Sequence, residues 1–316
     1  MCVVATVAIA QSATETQSVQ LVAYSAPREI YRALAEEYRS DHPESAPIQL
    51  SFGASGAQRR AIATGLRADV ISLALEPDMS KLVKDGIVAR EWQSRSRFDG
   101  LVSRSIVVLV VRRGNPKHIA GWDDLVRPGV AIVNPSALAS GAAKWNTLAA
   151  YGSQLALGRS PARAEAYLES LLRHTVVQPD SARSALAAFT GGKGDVLVSY
   201  ESDAIVAERK GERVEHVVPA QTISIEIPIA VARDARHPVE ARSVVSFLQS
   251  APAQEELGEA GYRPADPAAS ANRLFPRPAR LFTVRELGGW KAVNPRFFDP
   301  ATGLVARLVR GIGGSS

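Results

Sequence analysis

Four times along this chain a short apolar run rich in β-branched residues enters a turn of small residues holding a serine, and then a helical pattern begins. No other feature constrains the fold as strongly, because strand–turn–helix units in series pack as an α/β chain. First, Val19 to Tyr24 leads through Ser25-Ala26-Pro27-Arg28-Glu29 into Ile30, Leu34 and Tyr38 at helix spacing, with Pro27 suited to a first helical turn. Second, Ile48 to Phe52 leads into Ser55-Gly56 and a helix that Gly65 can end. Third, Val130 to Val133 leads through Asn134-Pro135 into Ser140-Gly141-Ala142-Ala143-Lys144-Trp145-Asn146, the start of a helix running towards Tyr151-Gly152. Fourth, Thr175 to Val177 leads into Asp180-Ser181-Ala182-Arg183 before the helical Ser184 to Phe189.

Plain capping explains any one of these serines, since a hydroxyl satisfies amides left over at a helix start. Together they suggest more. Helix starts carry partial positive charge and unpaired donors, and several converging on one point can hold a dehydrated anion without a lysine or arginine touching it. The stretch Ser51-Phe52-Gly53-Ala54-Ser55-Gly56-Ala57 also admits a second reading, as the elbow that presents the nucleophile of a serine hydrolase. Against it, such an elbow comes after several strands of its sheet, and Ser55 stands too early in the chain for that. A triad also needs a base, and none of the five histidines, His42, His118, His174, His216 and His237, lies in a motif that supplies one. Asp69 and Asp195 open buried strands and read as bonding to backbone, while Trp145 and Trp290 read as packing anchors. Arg28, Lys144 and Arg183 sit at helix starts, where positive charge is unfavourable, so each calls for a carboxylate partner or reaches towards a cleft.

A chain of 316 residues suits two lobes of ordinary size. No apolar run reaches the roughly 18 to 20 residues of a membrane span. The opening Met1 to Ser18 is apolar for about one signal-peptide core, closes on Ala8-Ile9-Ala10 and turns polar; it reads as an export leader without a basic start, or alternatively as an ordinary first strand. Cys2, the one cysteine, precedes the apolar run, so the mature chain carries no thiol and no cysteine-based metal site. The formal charge of +5 is scattered, and its densest spots, Arg59-Arg60, Arg112-Arg113 and Arg209-Lys210, lack the interleaved aromatics of single-strand nucleic-acid binders. Such a surface still favours the approach of small anions.

The stretches ADVISLAL, VLVVRRGNPKHIAGWDDLVRPGVAIVNP, SGAAKWNTLAAYG, GDVLVSYESDA, IPIAVARD, GYRPADP and LFTVRELGGW give the chain a family likeness over roughly residues 19 to 295. It resembles the sulfate-binding proteins of bacterial ABC importers, most specifically from Arg113 to Asn146. The resemblance implies an α/β, two-lobed, periplasmic-binding-protein-like (type II) fold that buries an anion in a cleft. Carried over residue by residue, it implies a ligand hydroxyl from Ser55, a hydroxyl and amides from Ser140, Gly141 and Ala142, and a further amide from Ala182, across a one-residue departure in spacing near Asp180. Ser25 stands where the family has an aspartate, and Tyr200 where it has the tryptophan whose indole meets the anion. Both substitutions look like the related molybdate-binding proteins.

The resemblance thus implies an exported, periplasmic receptor that captures sulfate and delivers it to a membrane permease, with molybdate, tungstate or another tetrahedral oxyanion as the alternative. It would be monomeric, without cofactor, metal, nucleic-acid partner or catalysis. Residues 1–19 would be leader and spacer, 20–103 plus 226–316 lobe one, and 104–225 lobe two, hinged near Ile106 and Pro228.

Overall fold

The computed structural model describes residues 18–271 and 275–313. The proposed leader therefore lies outside the described residues up to residue 17, and only Ser18 and Val19 of it are described. Three of the four expected runs match closely, as β1 (Val19–Tyr24), β2 (Ile48–Gly53) and β6 (Thr175–Val177), and the strand that Asp195 opens is β7 (Val196–Tyr200). Between them lie β3 (Val70–Ser72), the long β4 (Leu101–Arg112) and the two-residue β5 (Ile132–Val133). β8 (Val214–Val217), β9 (Gln221–Val231), β10 (Arg263–Pro264) and β11 (Arg280–Phe282) complete the sheet.

The main path of the sheet runs β2-β1-β3-β9-β4-β7-β5-β6. β1 is parallel to β2 and β3, and β5 is parallel to β6 and β7, so each end of the path is a parallel α/β unit. The middle joins them. β4 pairs antiparallel with Ser224–Pro228 of β9 through its first half, and with Val196–Tyr200 of β7 through Val107–Val111. Beyond that point β9 continues, and its Ile229–Val231 pair with β3. Two strands thus run from one unit into the other.

Alternation along β4 shows how thoroughly the sheet is covered. Val107, Leu109 and Val111 join the largest core cluster, while Ile106, Val108 and Val110 join a separate one with Val133, Phe189 and Leu197. Successive side chains point to opposite faces, so an unbroken apolar run is what a strand buried on both sides requires. Helices supply the cover. α1 (Arg28–Asp41) buries Ile30, Tyr31, Leu34 and Tyr38, and Pro27 stands at its cap rather than inside its first turn. After it come α2 (Ser55–Ala63), α3 (Glu76–Lys84), α4 (Gly141–Ala156), α5 (Pro161–Arg173), α6 (Ala182–Thr190) and α7 (Glu201–Arg209). None of the helices among the described residues is long and apolar enough to cross a membrane.

Asp69 and Asp195 do bond to backbone. Asp69 accepts from the amides of Gln20 (2.8 Å) and Arg236 (2.7 Å), and Asp195 from that of Ala131 (2.9 Å), stitching each strand entry to its neighbour. The tail crosses between units. β11 adds parallel to β9, and the helix Gly289–Phe298 sets Trp290 edge-on to Trp145 at 4.8 Å and Phe297 against Tyr151 at 4.8 Å. Gly152 of α4 has no room for a side chain, since a Cβ there would strike the Phe282 ring.

Candidate anion-binding site

Every residue expected to touch the ligand stands at or past the carboxyl end of a strand in one of the two parallel units. Ser25 and Ser55 come after β1 and β2; Ser140 and Ala182 come after β5 and β6; Tyr200 is the last residue of β7. Carboxyl ends of parallel strands are where α/β sheets open their crevices.

The α4 start fits the expectation. Ser140 caps the helix in an extended conformation, its hydroxyl accepting from the Ala143 amide at 3.4 Å. Gly141 and Ala142 are buried, and their amides, the first two of the helix, have no carbonyl one turn back to bond. The α2 start does not match: the cap is Ala54, and Ser55 is already the first helical residue. Its hydroxyl donates to Asp78 Oδ2 at 2.7 Å and accepts from the Ala74 amide at 3.1 Å. A carboxylate and an amide, with no histidine among the described residues, are therefore the hydroxyl's partners. His42 stacks on Tyr38, His174 bonds the Ser170 carbonyl, and His216 meets Glu208.

These two starts abut. A Cβ placed on Gly141 would lie 3.2 Å from Ser55 Cβ and 3.1 Å from Ala74 Cβ, and the Trp145 indole donates to the Ala74 carbonyl at 2.8 Å. Glycine is what allows the approach. Outward of this contact, Gly56, Arg59, Arg60, Asp78, Lys81 and Lys144 border a cavity of about 380 Å³. Lys144 pairs with no carboxylate among the described residues; its Nζ donates to Asn294 Oδ1 at 3.3 Å and lies 5.1 Å from the Phe298 ring centre. Burial lowers its pKa, and the charge of Asp78 pulls it back up.

Ser25, Ala182 and Tyr200 belong to the other side. Ser25 is 8 % exposed and its hydroxyl meets no partner among the described residues, since the α1 cap falls two residues later. Ala182 is the first residue of α6, whose cap Ser181 accepts from the Ser184 amide at 3.1 Å. Tyr200 is 1 % exposed, and its hydroxyl is buried with no hydrogen-bond partner among the described residues. Burial first, then the charge of Asp203, pushes its phenol well above the ordinary value, so it remains a donor.

Sequence reasoning passed over several groups here. Tyr24, at the end of β1, is buried within electrostatic reach of Tyr262, Tyr31, Tyr200 and Asp203. Asp203 accepts from Ser199 at 3.0 Å; burial drives its carboxyl up to about 6 against that bond, with Glu29 pushing the same way and Arg183 opposing. Glu29 of α1 receives Arg183 of α6 at 2.9 Å and Lys210, just past α7, at 3.3 Å. Burial alone would raise the Glu29 carboxyl, yet those two cations outweigh it and hold it below its ordinary range. Asp203, Glu29, Arg183 and Lys210 share a cavity of about 180 Å³ with Ala26. An aromatic at a strand end beside a predicted serine junction was the one signal that could have found Tyr24. Among the described residues no cluster of three or more histidine, cysteine, aspartate or glutamate side chains could hold a metal ion.

Known proteins resemble this chain in sequence and fold. The family profile described as bacterial extracellular solute-binding protein matches residues 19–263. The sulfate-binding protein of Synechococcus elongatus is 36 % identical over 291 residues, covering 89 % of this chain and 83 % of its own. The thiosulfate-binding protein of Escherichia coli is 30 % identical over 318 residues, covering 95 % of this chain and 94 % of its own. The solved structure of the sulfate-binding protein SubI from Mycobacterium tuberculosis superposes with a TM-score of 0.86 at 41 % identity, over 90 % of this chain and all (100 %) of that one.

Proposed function

The chain belongs to the bacterial extracellular solute-binding protein family, and from that premise we propose that it is an extracytoplasmic receptor that binds sulfate and hands it to the permease of an ABC importer. The observation that carries the reading is the meeting of the α2 and α4 starts, one from each parallel unit, with Gly141 against Ser55. Donors from two bodies that converge on one point favour closure around an anion, because the ligand gains both sets only when the cleft shuts. Ser25, Ser55, Ser140, Gly141, Ala142, Ala182 and Tyr200 are the proposed contacts. Lobe one is taken as 20–103 with 226 onward and lobe two as 104–225, joined through β4 and β9, with the tail beyond Arg280 strapped over α4. The receptor is exported and performs no catalysis.

Sulfate at neutral pH only accepts hydrogen bonds, so amides and hydroxyls suit it, whereas phosphate carries a proton that needs an acceptor. One observation favours a larger tetrahedral oxyanion such as molybdate or tungstate: the phenol of Tyr200, without a hydrogen-bond partner among the described residues, standing where relatives in the sulfate group are expected to carry an indole. A melting-temperature panel of sulfate, thiosulfate, molybdate and tungstate tests both readings. A ligand at about 100 times its Kd adds roughly 2.7 kcal/mol of stability. We expect the largest rise with sulfate; larger rises with molybdate and tungstate select the second reading, and a flat response to all four anions overturns the receptor.

A further inference from the structure

The cleft proposed for an anion contains a buried carboxylate. Asp78, in the first turn of α3, is 4 % exposed, and its Oδ2 sits 2.7 Å from Ser55 Oγ. The Ala74 amide stands 3.1 Å from the same oxygen. An amide can only donate, so the serine accepts from Ala74 and directs its single proton to Asp78. With that proton committed, Ser55 Oγ turns lone pairs towards any other neighbour. An anion held through this hydroxyl must take the proton from a carboxylate that already has it.

The surroundings show what makes a buried negative charge tolerable here. Lys144, Arg59, Arg60 and Lys81 border the cavity that Asp78 also lines, and the charge of Asp78 reaches Lys144 strongly enough to offset part of what burial does to that ammonium. The serine, the carboxylate and the lysine come from the starts of α2, α3 and α4, the three helices that meet at Gly141.

We propose that Asp78 is a specificity-determining residue of this cleft: it competes with the bound anion for the Ser55 proton and sets the cleft's charge against dianions more than against monoanions. The inference rests on the receptor reading. Repulsion from one fixed charge scales with the charge of the ligand, so sulfate feels it twice as strongly as perchlorate, a tetrahedral oxyanion of single charge. Asp78 thereby keeps sulfate binding weaker than the amides alone would make it, which favours release once the lobes part.

Calorimetric titration of sulfate and of perchlorate into the wild-type protein, Asp78→Asn, Asp78→Ser, Ser55→Ala and the Ser55→Ala/Asp78→Asn double variant tests this, with melting temperatures recorded alongside. Asp78→Asn should tighten sulfate about ten-fold or more, the scale of a charge-assisted hydrogen bond regained. Perchlorate should gain no more than about half as much on a logarithmic scale. On the Ser55→Ala background the sulfate gain should shrink, because only the charge effect is left to relieve. Asp78→Ser gives the same ordering should the asparagine variant fail to fold. A role confined to holding α3 in place would move both anions alike. Equal effects on the two anions, or sulfate binding unchanged or weakened in both Asp78 variants, overturn the proposal. If the wild-type protein binds neither anion, the sulfate reading falls together with it; if wild-type binds sulfate and the variants gain nothing, this inference falls alone.

Discussion

The two sides of the cleft are closed by different physics. On one, the starts of α2 and α4 meet through Gly141, Ala74, Leu75, Ser55 and the Trp145 indole, and the contact spanning them is steric fit with a neutral hydrogen bond. On the other, Glu29 draws in Arg183 and Lys210 across the gap, near the buried tyrosines and the Asp203 carboxyl, which burial raises to about 6. Fit is intolerant of added volume but indifferent to salt and pH, whereas ion pairs near the surface yield to both. The first side should therefore decide whether the cleft can shut, and the second should only bias how readily it does.

Crowding the first side is the strongest way to break that division. In Gly141→Val the new Cβ meets Ala74, Leu75 and Ser55 at 3.1 to 3.2 Å before its methyl groups are counted. Three elements would have to move. Sulfate affinity should fall about a hundred-fold or more in calorimetry, in keeping with the roughly 1–3 kcal/mol of overpacking plus the lost amide contacts. The ligand-free melting temperature should change little if the crowding bears on closure; a large drop would mean that the α2–α4 contact belongs to the core instead.

Tyr200 sharpens the comparison from the second side. Its hydroxyl is buried without a partner among the described residues, a costly arrangement unless a ligand completes it. Tyr200→Phe keeps the ring and should lower oxyanion affinity by about 1.5 to 3 kcal/mol, roughly ten- to a hundred-fold. Unchanged affinity would remove Tyr200 from the site and leave the first side to hold the anion alone.

Much of this was legible along the chain because it is local. A serine among small residues between a strand and a helix reports a helix start, and all four starts are there; α4 even carries its cap at the expected Ser140. Asp69 and Asp195 were readable for the same reason, since an aspartate opening a buried strand must find amides nearby. What escaped depends on how distant segments lie together. The same serine motif caps α4 but bonds a carboxylate at α2, because β3 and α3 deliver Ala74 and Asp78 to Ser55 from 19 and 23 residues away. The start of α3 obeys the same strand-to-helix rhythm, but Leu75-Glu76-Pro77-Asp78 holds no serine, so nothing local marked it as part of the site. Glu29 and Arg183 are 154 residues apart, and no spacing rule anticipates that α1 and α6 begin face to face.

The smallest effect is the most diagnostic of the second side. Glu29 is partly exposed, so its pairs with Arg183 and Lys210 are screened, and removing them in Glu29→Gln should cost only about 0.2 to 1 kcal/mol. That is less than about five-fold in sulfate affinity, and less again at about 1 M salt, where charges a few ångströms apart are already shielded. The pH dependence has a definite sign. The folded carboxyl titrates below the ordinary 4.5, so the unfolded chain takes up this proton first as the solution is acidified. The contribution is thus fully present above about 4.5, and it fades as pH falls through the lower folded value. Wild-type and Glu29→Gln melting curves in the ligand-bound state should accordingly differ slightly at about pH 7 and low salt and converge in acid or at high salt. Curves that stay apart under both conditions would mean that Glu29 acts by packing, and that the two sides of the cleft close by the same means.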